Sequence, residues 1–171
     1  MSDDANAGTT NTYLTFTLAD EQYAVEVYEV KEVLEFTKIT KVPRTQDYMR
    51  GVINLRGSVV PVIDLRRKFG MGETEKTVDT SIVVLEIKLD GETVTVGTLA
   101  DSVQEVVNID SSQIEPAPQI GTRINTDFIE GIGKLDEQFV IILDIDRIFS
   151  QTELSAVVDE SALTQSSATS E

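Results

Sequence analysis

The chain has 171 residues, a formal net charge of −16, no Cys and no His. A chain of this length buries roughly 70% of its unfolded surface, enough for one domain or two joined small barrels without a disulfide or a structural metal. Without thiols or imidazoles it lacks the usual nucleophiles, zinc ligands and neutral-pH general bases, so a binding protein is expected rather than an enzyme, with no cofactor and no metal.

Residues 1–12 and 150–171 are rich in Ser, Thr, Ala and acids and contain no Lys or Arg. They read as disordered tails, with Gln151 to Asp159 suited to a short helix. No apolar run reaches the ~20 residues of a membrane span and the N-terminus has no apolar leader core, so a cytoplasmic protein without membrane insertion is expected. Between the tails, strand signals dominate. Tyr13 to Leu18 alternates apolar and polar residues, Ala19 to Gln22 turns, and Tyr23 to Val27 returns, which makes a hairpin. Tyr28 to Lys31 fits one helical turn, Glu32 to Phe36 a strand, and Ile39 to Val42 a short strand stopped by Pro43. Helical spacing of Val27, Val30, Val33 and Leu34 leaves a helix open there. Asp47 to Phe69 then reads as turn, strand, tight turn at Gly57, strand and short helix. Further on, Asp90-Gly91 is a type I′ turn signal that pairs Leu89 with Glu92, Ile87 with Val94 and Leu85 with Val96. That register puts Leu85, Ile87, Val94 and Val96 on one face and Glu86, Lys88, Thr93 and Thr95 on the other. Asp101 to Val107 is a turn and a strand, and Glu115-Pro-Ala-Pro118 breaks the chain before Asn125 to Phe149.

That last stretch repeats an earlier one. Shifted by 80 positions without a gap, Asp47 falls on Asp127, Gly51 on Gly131, Leu55 on Leu135, Asp64 on Asp144, Arg67 on Arg147 and Phe69 on Phe149. Val30-Lys-Glu-Val33 likewise resembles Val103-Gln-Glu-Val106. The repeat predicts an all-β fold of two similar small barrels with short helical turns, over residues 13–79 and 80–149, and leaves open a strand exchanged between them. The decorations differ: Arg50, Asn54, Arg56 and Gly57 become Glu130, Lys134, Asp136 and Glu137. Equal skeletons with unlike decorations predict that the skeleton folds and the decorations recognise.

Asp64 and Asp144 each precede a short helix, where an N-cap is wanted; paired acid–base carboxylates are the sharper alternative. Val78-Asp-Thr-Ser81 resembles an aspartic-protease signature, but the required second copy is missing from the sequence, which leaves only a dimeric protease as that rival. No glycine-rich phosphate loop is present. From Lys38 to Lys68, eight basic residues (Lys38, Lys41, Arg44, Arg50, Arg56, Arg66, Arg67 and Lys68) face only Asp47 and Asp64. This island predicts either a docking face for an acidic partner or ordinary solvated side chains. Nucleic acid is not expected, because the surrounding acidity repels phosphate and no aromatics interleave with the basic residues. Arg56, at a turn tip before Gly57, either offers its planar fork to a partner's carboxylate or carbonyls, or pairs with an acid of its own barrel.

Gly51-Val-Ile-Asn-Leu-Arg-Gly-Ser-Val-Val-Pro-Val-Ile-Asp-Leu-Arg66 strongly resembles the chemotaxis coupling (CheW) family. Leu14 to Leu18, Tyr23 to Val27, Val30 to Val33, Ala100 to Val103, Ile114 to Pro118 and Phe128 to Gly133 extend the match across residues 13–149. The resemblance implies two SH3-like five-stranded barrels in a non-enzymatic adaptor. Its implied partners are the tip helices of methyl-accepting chemoreceptors and the CheW-like regulatory domain of the histidine kinase CheA, in an array of copies that are monomers alone. Receptor contacts would then fall at Val30, Glu32, Asn54, Arg56, Gly97 and Val103, and kinase contacts at Ile39, Val42 and Val106. A generic polyproline-binding barrel is the rival of similar fold, but the chain has no Trp and few other aromatics to line such a groove.

Overall fold

The computed structural model describes residues 9–89, 91–117 and 126–149. In chain order the elements are β1 (Thr10–Leu18), β2 (Glu21–Glu26), β3 (Val30–Glu35), β4 (Met49–Leu55), β5 (Ser58–Ile63), α1 (Leu65–Lys68), β6 (Ser81–Leu89), β7 (Glu92–Ala100), β8 (Ser102–Asp110), β9 (Ile114–Glu115), β10 (Ile129–Leu135), β11 (Gln138–Leu143) and α2 (Ile145–Ile148). They form two mixed sheets, ordered β3-β6-β7-β5-β4 and β8-β1-β2-β11-β10-β9. The all-β class with two subdomains is as the sequence predicts.

The division between the subdomains is not. The expected boundary after residue 79 cuts through both sheets, because whole hairpins change sides. The β6–β7 hairpin joins β3 to β5 in the first barrel, while the β1–β2 hairpin joins the C-terminal strands in the second. Each exchange ends in a short parallel pairing: Val62 opposite Gly97 and Ile63 opposite Thr98 in the first barrel, Ile141 opposite Tyr23 and Ile142 opposite Ala24 in the second. Val62 and Ile142 are related by the 80-residue shift, so the two barrels close in the same way. Residues 30–100 thus form one continuous barrel, inserted into a second that is split in sequence.

Local expectations fare better. The β6–β7 register is the one read from alternation, with Leu85 opposite Val96 and Ile87 opposite Val94. Asp90 lies outside the described residues, and Gly91 takes φ +81. The first hairpin turns through Ala19 and Asp20, both at positive φ as a two-residue turn requires. Between Val27 and Val33 no α-helix forms: a 3-10 turn, Val27–Glu29, is followed directly by β3. The strand expected over Ile39 to Val42 shrinks to a single bridge, Thr40 to Val52. Gly51 makes that approach feasible, since a Cβ there would stand 2.2 Å from the Thr40 carbonyl oxygen. Thr10 to Thr12, placed in a tail by composition, are paired in β1 opposite Asp110 to Asn108. Residues 1–8 and 150–171, with the expected Gln151 to Asp159 helix, and Pro118 and Asn125 lie outside the described residues.

Strand alternation sorts the apolar residues into three clusters. Ile53, Leu55, Val60, Val62, Ile82, Val84 and Leu99 fill the first barrel, and Tyr13, Ala24, Ile109, Val140 and Ile142 fill the second. The largest cluster lies between the barrels and takes side chains from both, among them Phe16, Leu18, Leu65, Phe69, Leu85, Ile87, Ile145 and Phe149. On β6, for example, Ile82 and Val84 point into the barrel while Val83, Leu85 and Ile87 point into this seam. Burial contributes about 1.5–3 kcal/mol per large aliphatic or aromatic side chain. The seam therefore outweighs either interior, and the barrels stabilise each other.

Among the described residues two short crossings join them. One is the 3-10 turn Val27–Glu29; the other is the single residue Asp101, between β7 and β8. Asp101 is held from both sides. Its N–H donates to the Thr17 carbonyl at 2.9 Å, and its carboxylate accepts the Ala19 N–H at 2.8 Å and pairs with Arg66 at 3.3 Å.

Candidate functional site

The β4–β5 turn is built to present one side chain. Arg56 and Gly57 both take positive φ, +49° and +88°, and the Asn54 side-chain oxygen accepts the Gly57 N–H at 2.7 Å, fixing the tip. At this tip Arg56 pairs with an acid of its own barrel. The guanidinium makes a two-pronged ion pair with Glu32 on β3, Nη1 to Oε1 at 3.2 Å and Nη2 to Oε2. Hydrogen bonding from Arg56 holds the Glu32 carboxyl below its ordinary range. The Arg56 side chain nevertheless stays 67% exposed. It borders a cleft of about 520 Å³ shared with Lys31, Leu55, Val59, Thr93 and Val94.

The equivalent corner of the second barrel has the same frame and the opposite charge. Asp136 replaces Arg56, again at positive φ (+54°). The cleft beside it, about 940 Å³, is lined by Gln22, Gln104, Glu105, Asp136, Glu137 and Gln138. Val59 and Phe139, related by the 80-residue shift, are 56% and 61% exposed beside the two corners. Sequence reasoning missed both. The signal was available, because each lies two positions after a turn whose location the repeat had already revealed.

The other receptor positions divide. Val30 and Val103 are equivalent, lie just past the two crossings and pack on the inter-barrel cluster. Gly97 is buried, and a Cβ on it would meet Ile82 and Val62 at 3.0 and 3.4 Å inside the first barrel. Of the kinase positions, Val106 is 55% exposed on β8, an edge strand, Ile39 packs against the first barrel's interior, and Val42 is half-buried. No element brings all three together.

The basic island is smaller than its composition suggests. Arg50 pairs with Asp64 and Glu73, Arg56 with Glu32, Arg66 with Asp101 and Arg67 with Glu73. Lys68 stands over the rings of Tyr48 and Phe128. Among the described residues Lys38, Lys41 and Arg44 are exposed without an ion pair, interleaved with Ile39 and Val42 on one loop.

Asp64 and Asp144 both cap the helices that follow them, accepting the Arg66 and Arg147 N–H groups, so capping prevails over acid–base chemistry. Asp64 does more. It is fully buried and also accepts the Thr74 hydroxyl at 2.6 Å, the Thr74 N–H at 2.9 Å and the Arg50 guanidinium at 3.1 Å. Val78 and Asp79 form a turn with Val78 wholly exposed, Thr80 is buried and Ser81 opens β6. Among the described residues no cluster of acids has the arrangement to hold a metal.

Two interlocked barrels with a shared apolar seam, and unlike charged corners on a common frame, define a class: a β scaffold that presents surfaces to other proteins. The model of the CheW-like domain matches residues 12–153, and the chain belongs to that family. It is similar to chemotaxis protein CheW of Klebsiella aerogenes, 36% identical over 145 residues that cover 85% of each chain. It is also similar to chemotaxis protein CheW of Bacillus subtilis, 35% identical over 86% of this chain and 92% of that one. Among solved structures, the scaffolding protein TtCheW of Thermoanaerobacter tengcongensis superposes with a TM-score of 0.74 at 39% identity, covering 83% of this chain and 89% of its own.

Proposed function

We propose that this protein is a cytoplasmic chemotaxis adaptor that couples methyl-accepting chemoreceptors to the histidine kinase CheA by binding alone, without catalysis, at membrane-associated arrays. The observation that carries the reading is the pair of equivalent corners with opposite charge, Arg56 with Lys31 on one barrel and Asp136 with Glu137 on the other. A bridge needs two unlike surfaces held at a fixed angle, and the seam and the pinned crossings supply the rigidity. Receptor helices are assigned to Val30, Glu32, Asn54, Arg56 and Val103, with apolar contact giving affinity and the Arg56 fork giving orientation. The kinase is assigned to the loop bearing Ile39 and Val42, whose free Lys38, Lys41 and Arg44 favour an acidic counterpart, and to Val106. Chemotaxis family membership and the scaffolding role named for TtCheW support this reading.

Co-sedimentation of the protein with receptor cytoplasmic fragments and kinase tests it; a complex containing only one partner would reduce bridging to simple binding. Within that assay, Arg56→Asp is expected to weaken receptor capture at least tenfold and to remove kinase stimulation, while kinase binding persists. Unchanged capture by Arg56→Asp would remove Arg56 from the mechanism.

A further inference from the structure

A further cleft, about 350 Å³, opens along the loop between β3 and β4. Lys41 and Arg44 from the loop, Arg50 from β4 and Arg67 from α1 line it, with Asp47 and Glu73 as its carboxylates. Glu73, from the segment after α1, pairs with both Arg50 and Arg67, so the cleft already takes a carboxylate of its own chain. Lys41 and Arg44 stay exposed without one. Arg44 stands there at φ +64, a left-handed conformation that glycine adopts with less strain. Hydrogen bonds hold the loop in that shape: the Thr45 hydroxyl donates to the Val42 carbonyl at 3.0 Å, and the Met49 N–H to the Gln46 carbonyl at 2.9 Å. Two cations without a counterion, held on a pinned loop beside a basic cleft, are preorganised to grip carboxylates.

The chain itself carries the matching anion. Residues 150–171 hold Glu153, Asp159, Glu160 and Glu171 and no Lys or Arg, with Leu154, Val157 and Val158 among the acids. They leave the fold near the cleft. Phe149 belongs to the same apolar cluster as Met49, which lines the cleft. The helix α2 packs on the turn Thr126–Phe128, Phe128 meets Phe69 at 6.0 Å between ring centres, and Lys68 stands over both Phe128 and Tyr48, the neighbour of Asp47 in the cleft lining. An extended chain advances roughly 3.3–3.6 Å per residue, so Asp159 and Glu160 can lie up to about 33–40 Å from Phe149, enough to span this short run of contacts. The other clefts match an acidic segment less well: the one beside Asp136 repels it, and Arg56 is already held by Glu32. We propose that segment 150–171 docks on the Lys41–Arg44 cleft, an acidic cover built into the chain for the loop that bears Ile39 and Val42. Where that loop meets the kinase, as proposed above, the segment competes for it; docking itself does not depend on that assignment.

Because the chain has no Cys, Ser161→Cys gives a single attachment point for a nitroxide spin label in the whole protein, and NMR of the protein alone tests the docking. Amide resonances between Lys41 and Gln46 are expected to lose at least half their intensity when the label is oxidised, while those of Asp136 to Gln138 keep theirs. Lys41→Glu with Arg44→Glu, both at exposed positions, is expected to restore the intensities. Raising the salt to about 0.5 M is expected to do the same with no change of sequence in the loop. No selective loss at the loop, or a loss that survives both the charge reversal and the salt, would overturn the proposal. Spin-labelled protein mixed with isotope-labelled protein that lacks the spin label separates the occupants. A loss at the loop in that mixture would give the cleft to a second copy and overturn the internal cover; its absence there, with the loss present in the doubly labelled chain, would sustain it.

Discussion

Fragments 1–79 and 80–171 are expected to be unfolded when separate and to regain the native sheets when mixed. The first retains the β1–β2 and β4–β5 hairpins with β3 but has lost β6 and β7, which lie between β3 and β5 in the first sheet. The second retains β6 to β11 but lacks β1 and β2, so β8 has no neighbour and β11 no parallel partner. Isolated two-stranded hairpins are at best marginally stable in water, and each fragment leaves half of the inter-barrel cluster exposed. Far-UV circular dichroism and size exclusion of each fragment and of the equimolar mixture check this. Cooperative unfolding of fragment 80–171 by itself would show that the exchanged hairpins matter little.

The second large effect distinguishes two aspartates that the repeat makes look alike. Asp64→Ala is expected to destabilise the protein by about 3–5 kcal/mol, the usual loss when one member of a buried, hydrogen-bonded charge pair is removed. It strips partners from the Thr74 hydroxyl and N–H, the Arg66 N–H and the Arg50 guanidinium together. Asp144→Ala is expected to cost only about 1 kcal/mol, the typical value of an N-cap, because Asp144 is partly exposed and its described side-chain bonds are to Arg147 alone. Urea unfolding of both variants measures the difference. Equal losses would mean that the Asp64 network contributes no more than its cap.

Much of this architecture is legible in the sequence because it is local. Alternation sets the β6–β7 register, Asp before a short amphipathic run marks both helix caps, and the gapless repeat exposes the duplicated β-β-α unit. The hairpin exchange is not legible. It depends on parallel contacts of two residues each, between Val62 and Gly97 or Ile142 and Ala24, and so brief a pairing leaves no pattern in either strand. The fate of Arg56 was hidden for a related reason: its partner Glu32 is 24 positions away on another strand. Counting charges from Lys38 to Lys68 overstated the basic island because Glu32, Glu73 and Asp101, which neutralise much of it, fall outside that window.

The single-residue crossing at Asp101 has a mechanical consequence. A flexible tether would absorb a tilt imposed on one barrel, but a joint one residue long, clamped by Ala19 on one side and Arg66 on the other, passes the tilt on. The molecule is expected to act as a stiff lever, so that an angular displacement applied at one end arrives at the other nearly undiminished.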